Sequence, residues 1–243
     1  MSGPLILSLF PGIDLLGRAF EEEWPEACVV RGPDLLWGGD IRRFHPPAGK
    51  FDGVIGGPPC KGESQLAHLN GKPGVSMQDE FSRCVRETRA RWYVMEAVKA
   101  RGMCLCVGGP TGGSAWGSPL VHDAACPGWA TITTLSPRWL GEKQSRVRHF
   151  HSNLDLRPFI EQAALEPTEY KYAVLAGHGG AEGSVYRRMA TYAWPEMCEL
   201  QGLPPAFDIP GFTRAAKREA VGNGVPLPMG RAIARAVRRA VSC

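Results

Sequence analysis

The chain has 243 residues, 44% hydrophobic and 21% charged, which is enough to bury the core of one main domain with a modest insertion. No apolar run approaches the roughly 20 residues that a membrane-spanning helix needs, so we expect no membrane association. The net charge of +4 permits a nucleic-acid partner without requiring one.

The first residues carry no basic leader and run directly into the apolar stretch at residues 5–10 and a Pro-Gly turn. This favours a first core strand over a signal peptide, and we therefore expect a cytoplasmic protein. The eight cysteines are then expected to be reduced. Cys104 and Cys106 have no matching second pair with which to complete a zinc site, so we expect no structural metal.

Apolar runs and helical periodicity alternate along the chain. Strands are predicted at residues 5–10, 28–30, 51–55, 92–95 and 131–135. Helices are predicted at residues 13–23, 79–90, 196–203 and 228–241, and the arginines of the last one are expected to form a solvated surface. This alternation predicts an α/β fold with a doubly wound, mostly parallel sheet and right-handed crossovers.

Two stretches interrupt this pattern. Residues 104–119 are rich in glycine and small side chains and predict a loop, with a helix between it and the strand at 131–135. From residue 153 to 195 the periodicity weakens, and the glycine-rich stretch at 177–183 indicates a mobile loop. We therefore predict a main domain of residues 1–153 and 196–243 with a short lobe, residues 154–195, inserted in it.

A Gly-Gly-Pro-Pro-Cys sequence at residues 56–60 follows the strand predicted at 51–55. The two prolines fix φ at about −65° and remove two backbone donors, so Cys60 should lie on a stiff turn at the carboxyl edge of the sheet, where open α/β sheets bind ligands. A thiol there suits nucleophilic chemistry. The alternative is a buried free cysteine after a proline turn.

Two further segments lie at predicted strand edges. The turn Leu9-Phe10-Pro-Gly12 joins the first strand to the first helix, where glycines let a cofactor approach backbone amides. Gly39-Asp40-Ile41 offers a carboxylate and an apolar side chain, as an adenine pocket requires. The spacing is not the dinucleotide fingerprint, but an adenosyl cofactor without a pyrophosphate needs fewer glycines. A tight turn without a ligand and an exposed turn aspartate are the alternatives.

Together these segments resemble the cytosine-C5 DNA methyltransferases, and the resemblance continues in the family's order to residue 226. Val94-Met-Glu96-Ala-Val98 occupies the place of the family's Glu-Asn-Val. The other blocks are Leu9-Phe10-Pro-Gly12, Gly39-Asp40-Ile41, Gly57-Pro-Pro-Cys60 with Ser64, Gln144-Ser-Arg146-Val-Arg148, Leu200-Gln-Gly-Leu-Pro204 and Gly222-Asn223-Gly-Val225-Pro226.

The chemistry of cytosine explains four of these residues. C5 is a poor nucleophile, so an enzyme must first add a thiolate at C6, and Cys60 suits that role. Electron density then accumulates at N3, where Glu96 could donate a proton. Arg148 would bond the cytosine O2 and Arg146 a phosphate, since guanidinium donors suit both acceptors. Taken singly, Glu96 could be an exposed strand-end carboxylate, and the arginines an ordinary surface pair.

The resemblance implies S-adenosylmethionine as cofactor and double-stranded DNA as partner, with the target base flipped out of the duplex. It places the base-reading elements in the lobe at 154–195, and a homodimer on DNA is possible. The expected cofactor-binding residues are Phe10, Gly12, Ile13, Asp40, Ile41, Pro58, Asn223 and Val225. The expected DNA-binding residues are Lys61, Ser64, Lys171, Arg187 and Arg188, although each could equally belong to a solvated loop.

Several positions depart from the family's pattern. They are Asp14 and Ala97 in place of a glycine and an asparagine, Lys61 and Glu63 in place of a glutamine and a phenylalanine, and Ala220 in place of a glutamine. None removes a reacting group. The departures leave open a relative that modifies cytosine in RNA or as a nucleotide, one that transfers another one-carbon group, and a catalytically idle DNA-binding homologue. Retention of Cys60, Glu96 and both arginines argues against the last alternative.

Overall fold

The computed structural model describes residues 3–59, 77–98, 130–176 and 192–243. The strands are β1 (Leu5–Leu9), β2 (Cys28–Arg31), β3 (Gly53–Gly56), β4 (Trp92–Ala97), β5 (Thr131–Leu135), β6 (Gln144–Ser145), β7 (Arg148–Ser152) and β8 (Lys171–Tyr172). The helices are α1 (Leu15–Glu23), α2 (Gln78–Thr88), α3 (Trp194–Leu200), α4 (Arg214–Asn223) and α5 (Leu227–Ser242).

Six of these strands form one sheet in the order β2-β1-β3-β4-β7-β5. The pairs β1–β2, β1–β3 and β3–β4 are parallel, so the carboxyl ends of four neighbouring strands meet at one edge. Strand β7 runs antiparallel to both β4 and β5. The prediction of a doubly wound, mostly parallel α/β fold is confirmed.

Helices cover both faces of the sheet, and the faces follow the alternation of side chains along the strands. On one face, Ile6 of β1 and Val94 of β4 pack with α1 and α5. On the other face, Leu7 and Val54 pack with α2. A third apolar cluster joins α1 to α3 and α4.

The sequence analysis missed four elements: the strands β6, β7 and β8 and the helix α4. Strand β7 reads Arg-His-Phe-His-Ser, and such a run carries no apolar signal. Helix α4 begins after Thr213, whose hydroxyl accepts from the backbone N–H of Ala216 at 3.2 Å, and it ends at Asn223. Helix α3 covers 194–200 rather than 196–203. The loop predicted at 104–119 and the helix after it lie outside the described residues.

The described part of the predicted lobe attaches to the main domain through a short ladder, in which β8 pairs in parallel with β6. The proposed boundaries of the lobe remain a prediction. Within the described ranges, no helix combines the length and the apolar character that crossing a membrane requires. Nor do the described residues bring three or more His, Cys, Asp or Glu side chains together as a metal cluster, and Cys104 and Cys106 lie outside them.

Candidate active site

A cleft enclosing about 350 Å³, open to solvent, lies at the carboxyl edge of the sheet. Open α/β sheets bind their ligands at this edge. Four segments distant in sequence meet there: the loop after β1, the end of β3, Glu96 of β4 and the turn between α4 and α5. The lining residues are Ser8, Leu9, Phe10, Pro11, Asp14, Leu15, Leu16, Gly56, Gly57, Glu96, Asn223, Gly224 and Val225.

The loop after β1 has a strained backbone. Phe10, Gly12 and Asp14 have φ values of 53°, 56° and 55°. For a residue other than glycine this conformation costs about 1–3 kcal/mol, and such strain clusters at functional sites. Two residues that follow β2 hold the loop: Asp34 Oδ2 accepts from the Gly12 N–H at 2.9 Å, and Trp37 Nε1 donates to the Gly12 carbonyl at 2.7 Å.

Asp14 places a carboxylate under the amino terminus of α1. It is 4% exposed, and its Oδ1 accepts from the Ser8 hydroxyl at 2.7 Å and from the Gly17 N–H at 3.1 Å. Arg31 Nε lies 2.8 Å from Oδ2, close enough for an ion pair, but the pair lacks hydrogen-bond alignment, since Oδ2 has no hydrogen-bond partner among the described residues. Burial raises the pKa of Asp14, and the hydrogen bond from Ser8, the charge of Arg31 and the hydrogen bond from Gly17 oppose this.

Glu96 and Arg148 form an ion pair at the cleft. Glu96 lies near the end of β4, and Arg148 begins the neighbouring strand β7. Arg148 Nε lies 2.8 Å from Glu96 Oε1, and the two side chains are 16% and 11% exposed. The structure therefore brings together the expected proton donor and the arginine expected to bind the base. Neither is the freely exposed surface residue that the alternative interpretation required.

The backbone of Gly57 approaches the same carboxylate. A Cβ added at Gly57 would lie 3.1 Å from Glu96 Oε2, closer than nearly all real Cβ contacts. The chain continues through the buried Pro58 and the exposed Pro59 towards Cys60. Cys60 itself, with Lys61 and Ser64, lies outside the described residues.

Arg146 is placed differently from the expectation. It is 5% exposed, and its Nη1 donates to the Val174 carbonyl at 2.6 Å. Its Nε has no hydrogen-bond partner among the described residues. Burial lowers the pKa of Arg146 to about 9, with the charge of Arg148 adding to this and that of Glu96 opposing it, so the group stays protonated near neutral pH. A contact to a backbone phosphate needs an exposed guanidinium, so this placement of Arg146 does not favour that contact, and the phosphate role stays a prediction.

A buried pair of glutamine side chains connects residues 144–148, which we call the arginine block, to the turn between α4 and α5. Gln144 Nε2 donates to the Leu200 carbonyl and to Gln201 Oε1. Gln201 Nε2 in turn donates to the carbonyls of Val221 and Gly224. Both glutamines are 0% exposed. Asn223 and Val225 are thereby held at the same cleft as Phe10 and Glu96.

The remaining expected cofactor residues do not line the cleft. Asp40 forms a two-bond pair with Arg42, with Nη2 2.7 Å from Oδ2, and this hydrogen bonding lowers the pKa of Asp40 to about 2. Ile41 is buried in the apolar cluster beside α2. Gly12 and Ile13, which follow Phe10 on the loop, and Pro58 are not among the residues that line the cleft.

Of the expected DNA-binding residues, only Lys171 lies within the described residues. It is exposed on β8, and its ammonium group lies 3.1 Å from Glu196. Arg187 and Arg188 lie outside the described residues, as do Lys61 and Ser64. The expected DNA contacts therefore stay predictions.

The sequence analysis gave no role to four residues that shape the site: Asp34 and Trp37, which it did not name, and Gln144 and Gln201, which it named only as members of two blocks. A signal for the first existed, since Asp34 is a polar residue just past a predicted strand, at the sheet edge that binds ligands. Trp37 is 58% exposed, which is unusual for an indole, but exposure is visible only in the structure. Nothing in the sequence marks the two glutamines as partners.

Solved structures with a similar fold are methyltransferases. EhMeth, a methyltransferase of Entamoeba histolytica, matches with a TM-score of 0.57 and 11% identity over 100% of this chain and 99% of that chain. DNMT2 of Spodoptera frugiperda, solved as a mutant, matches with a TM-score of 0.58 and 12% identity over 97% and 99%.

A prophage-encoded E. coli protein, described as a proposed DNA modification methyltransferase, matches with a TM-score of 0.55 and 13% identity over 99% and 100% of the two chains. No protein-family model matches the chain, and no curated protein sequence does. At these identities the likeness establishes the fold alone: the described part of the chain has the α/β fold of these methyltransferases.

Proposed function

We propose that the chain is an S-adenosylmethionine-dependent methyltransferase that methylates C5 of a flipped cytosine in double-stranded DNA. The observation that carries the proposal is the Glu96–Arg148 pair, which lies at one end of the cleft that Phe10 and Asn223–Val225 line. These residues come from four of the blocks that resemble the cytosine-C5 DNA methyltransferases. The prophage-encoded E. coli neighbour is described as a proposed DNA modification methyltransferase, which agrees with a methyl transfer to nucleic acid.

The lining of the cleft fits an adenosyl cofactor. The aromatic ring of Phe10 and the amide of Asn223 supply a stacking surface and polar contacts, and Trp37 presents an exposed ring beside Gly12. The cofactor supplies an electrophilic methyl group when bound.

The protein's own groups would act on the base in a fixed order. Cys60, as the thiolate, adds to C6, and the electron pair of the C5–C6 double bond becomes nucleophilic at C5. Glu96, in its protonated form, donates a proton to N3, and Arg148 holds the base through O2. After methylation of C5, loss of the C5 proton to a base expels the Cys60 thiolate, and N3 returns its proton to Glu96, which restores the aromatic ring and the starting form of the enzyme.

Methyl transfer to DNA is the first test. Purified protein is incubated with labelled S-adenosylmethionine and duplex DNA, RNA or dCMP, and incorporated label is counted. Label in DNA alone supports the proposal, and label in RNA or dCMP redirects it to the corresponding relative. No transfer to any of them, with intact cofactor binding, would indicate the idle homologue.

The role of Glu96 has a matched control. Glu96→Gln should lower the rate of methyl transfer on the order of a hundredfold, the usual scale for general acid catalysis, and leave cofactor affinity unchanged. Glu87 is also paired with an arginine, at 2.8 Å from Arg83, but does not line the cleft. Glu87→Gln should retain wild-type activity. Equal losses in the two variants would contradict the assigned role.

DNA that carries 5-fluorocytosine tests the covalent step. The fluorine replaces the proton whose loss releases the enzyme, so the protein should be trapped on the DNA through Cys60. Burial raises the pKa of the thiols of Cys84 and Cys198 to about 11, which makes them poor competitors for any reagent. Cys60→Ala should abolish trapping and methylation together, and near-normal methylation by this variant would refute the mechanism.

A further inference from the structure

The chain segment at residues 174–176, which we call the flank segment, is held on two sides. On the β6 side, Val174 donates its N–H to Gln144 Oε1 at 3.1 Å and accepts from Arg146 at its carbonyl at 2.6 Å. On the other side it touches α4, because a Cβ added at Gly222 would lie 2.6 Å from Ala176 Cα. Val174 is 1% exposed. The flank segment thus lies between the arginine block and the turn that bears Asn223.

The burial of the Arg146 guanidinium is not explained by a contribution to the stability of the fold. A buried guanidinium loses its hydration, and that cost is repaid only by close pairing and a full set of hydrogen bonds. Here the neighbouring carboxylate, Glu96, is paired with Arg148 instead. The Nε of Arg146 has no partner in the described part of the chain. An apolar side chain of similar length would serve packing as well or better.

We propose that Arg146 is a positioning residue. It holds the flank segment, and the flank segment in turn keeps the Glu96–Arg148 pair and Asn223 at a fixed distance from each other across the cleft. It acts through the Val174 carbonyl and not by touching DNA. The inference rests on the proposed function for its effect on methyl transfer. The contact between Arg146 and the flank segment, which we call the clamp, can be measured without substrate.

The test is Arg146→Met, which keeps the length of the side chain and removes its charge and donors. Its melting temperature should equal or exceed that of the wild type, because the buried charge is gone. Hydrogen exchange at the Val174 amide should rise at least tenfold, whereas amides of β1 stay protected. The turnover number for methyl transfer should fall ten- to a hundredfold, the scale of a small misplacement of reacting groups.

A phosphate contact and a purely structural role predict other results. A phosphate contact predicts that the slope of log affinity for DNA against log salt falls by about one in Arg146→Met, whereas a positioning role leaves that slope unchanged. A purely structural role predicts a lower melting temperature with activity lost in proportion. Arg146→Lys keeps the charge and one donor, so it should recover part of the turnover. Either of the other patterns overturns the inference.

Arg218→Met is the matched control. Arg218 also donates to a backbone carbonyl, that of Tyr192 at 2.7 Å, but it does not line the cleft. Tyr192 is held independently through its hydroxyl, which donates to the Tyr172 carbonyl at 2.9 Å. This variant should keep the wild-type turnover and Val174 exchange. If the wild type fails to methylate, the proposed function fails, but the exchange and melting results still decide the clamp.

Discussion

Asp14 takes a left-handed backbone conformation in the loop after β1 and caps α1 with its side chain. The resemblance puts a glycine at this position, and the structure explains why Asp is tolerated: short polar side chains adopt the left-handed conformation more readily than others. Its carboxylate lies over Gly17, where an added Cβ would come within 2.2 Å of Asp14 Oδ2. Position 17 must therefore be glycine as long as position 14 is aspartate.

The raised pKa of Asp14 should be visible in the pH dependence of the protein's stability. Its pKa is raised in the folded protein, so its contribution is fully present below the unfolded pKa of about 4 and is lost as pH rises through the folded pKa. Asp14→Asn keeps a cap and removes the charge. Thermal unfolding of both proteins from pH 4 to 7 should show the variant gaining stability relative to the wild type as pH rises. A difference that is flat with pH would contradict this.

Gly57 sets the position of the Glu96 carboxylate. Gly57→Ala would place a methyl group 3.1 Å from Glu96 Oε2, so the carboxylate must shift by a few tenths of an ångström. Methyl transfer should slow about tenfold or more, since such small displacements are costly at a reacting centre. Calorimetry should show unchanged cofactor affinity, and a parallel loss of affinity would instead indicate a rearranged cleft.

At the scale of elements, α1 and α5 pack in close contact. A Cβ added at Gly230 of α5 would lie 2.8 Å from Ala19 Cβ of α1. Arginines of α5 reach back to the acidic end of α1: Arg231 pairs with Glu22 at 2.8 Å and Arg235 with Glu23 at 2.7 Å. The surface is partly solvated, as the sequence predicted, but its charges are paired. Exposed pairs of this kind contribute less than about 1 kcal/mol each.

Packing should therefore outweigh charge at this helix pair. Gly230→Val should lower the free energy of unfolding by about 1–3 kcal/mol through overpacking. Arg231→Met should cost less than about 1 kcal/mol, and that cost should vanish at high salt. Ala215→Val, at an exposed site of α4, controls for the helix propensity of valine. Urea unfolding measures all three, and a larger loss for Arg231→Met than for Gly230→Val would reverse this ranking.

At the scale of the whole molecule, Gln144 and Gln201 join segments that are far apart in sequence. Together they bond β6, the end of α3, the flank segment and the turn after α4. Each removal leaves buried carbonyl or amide groups without partners, and each such group costs about 1–3 kcal/mol.

A double-mutant cycle should show that the two glutamines act as a unit. Gln144→Ala and Gln201→Ala should each lose about 2–4 kcal/mol of stability. The double variant should lose less than the sum by about 1 kcal/mol or more, because the first substitution already breaks the shared bond. Urea unfolding gives the three values, and strict additivity would show that the two side chains are independent.

The sequence by itself determined the parallel part of the fold. The strands at 5–10, 51–55 and 92–95 are mostly buried, and buried strands of a parallel sheet read as continuous apolar runs. The strand at 28–30 lies at the edge of the sheet and buries only Val29. The carboxyl edge follows from the alternation of the strands with helices, and with it the placement of Phe10 and Glu96 at one cleft. These signals are local, so they need no knowledge of distant contacts.

Only the tertiary structure decided the rest. Strand β7 is polar, and pairing on both sides by β4 and β5 stabilises it where its own residues would not. The burial of Arg146 depends on Val174, 28 residues further along the chain, and that of Gln144 on Gln201, 57 residues away. Neither the periodicity nor the composition of the sequence indicates which polar side chains will pair. Their pairing follows from which backbone carbonyls the folded chain leaves without partners, and only the packed molecule defines these.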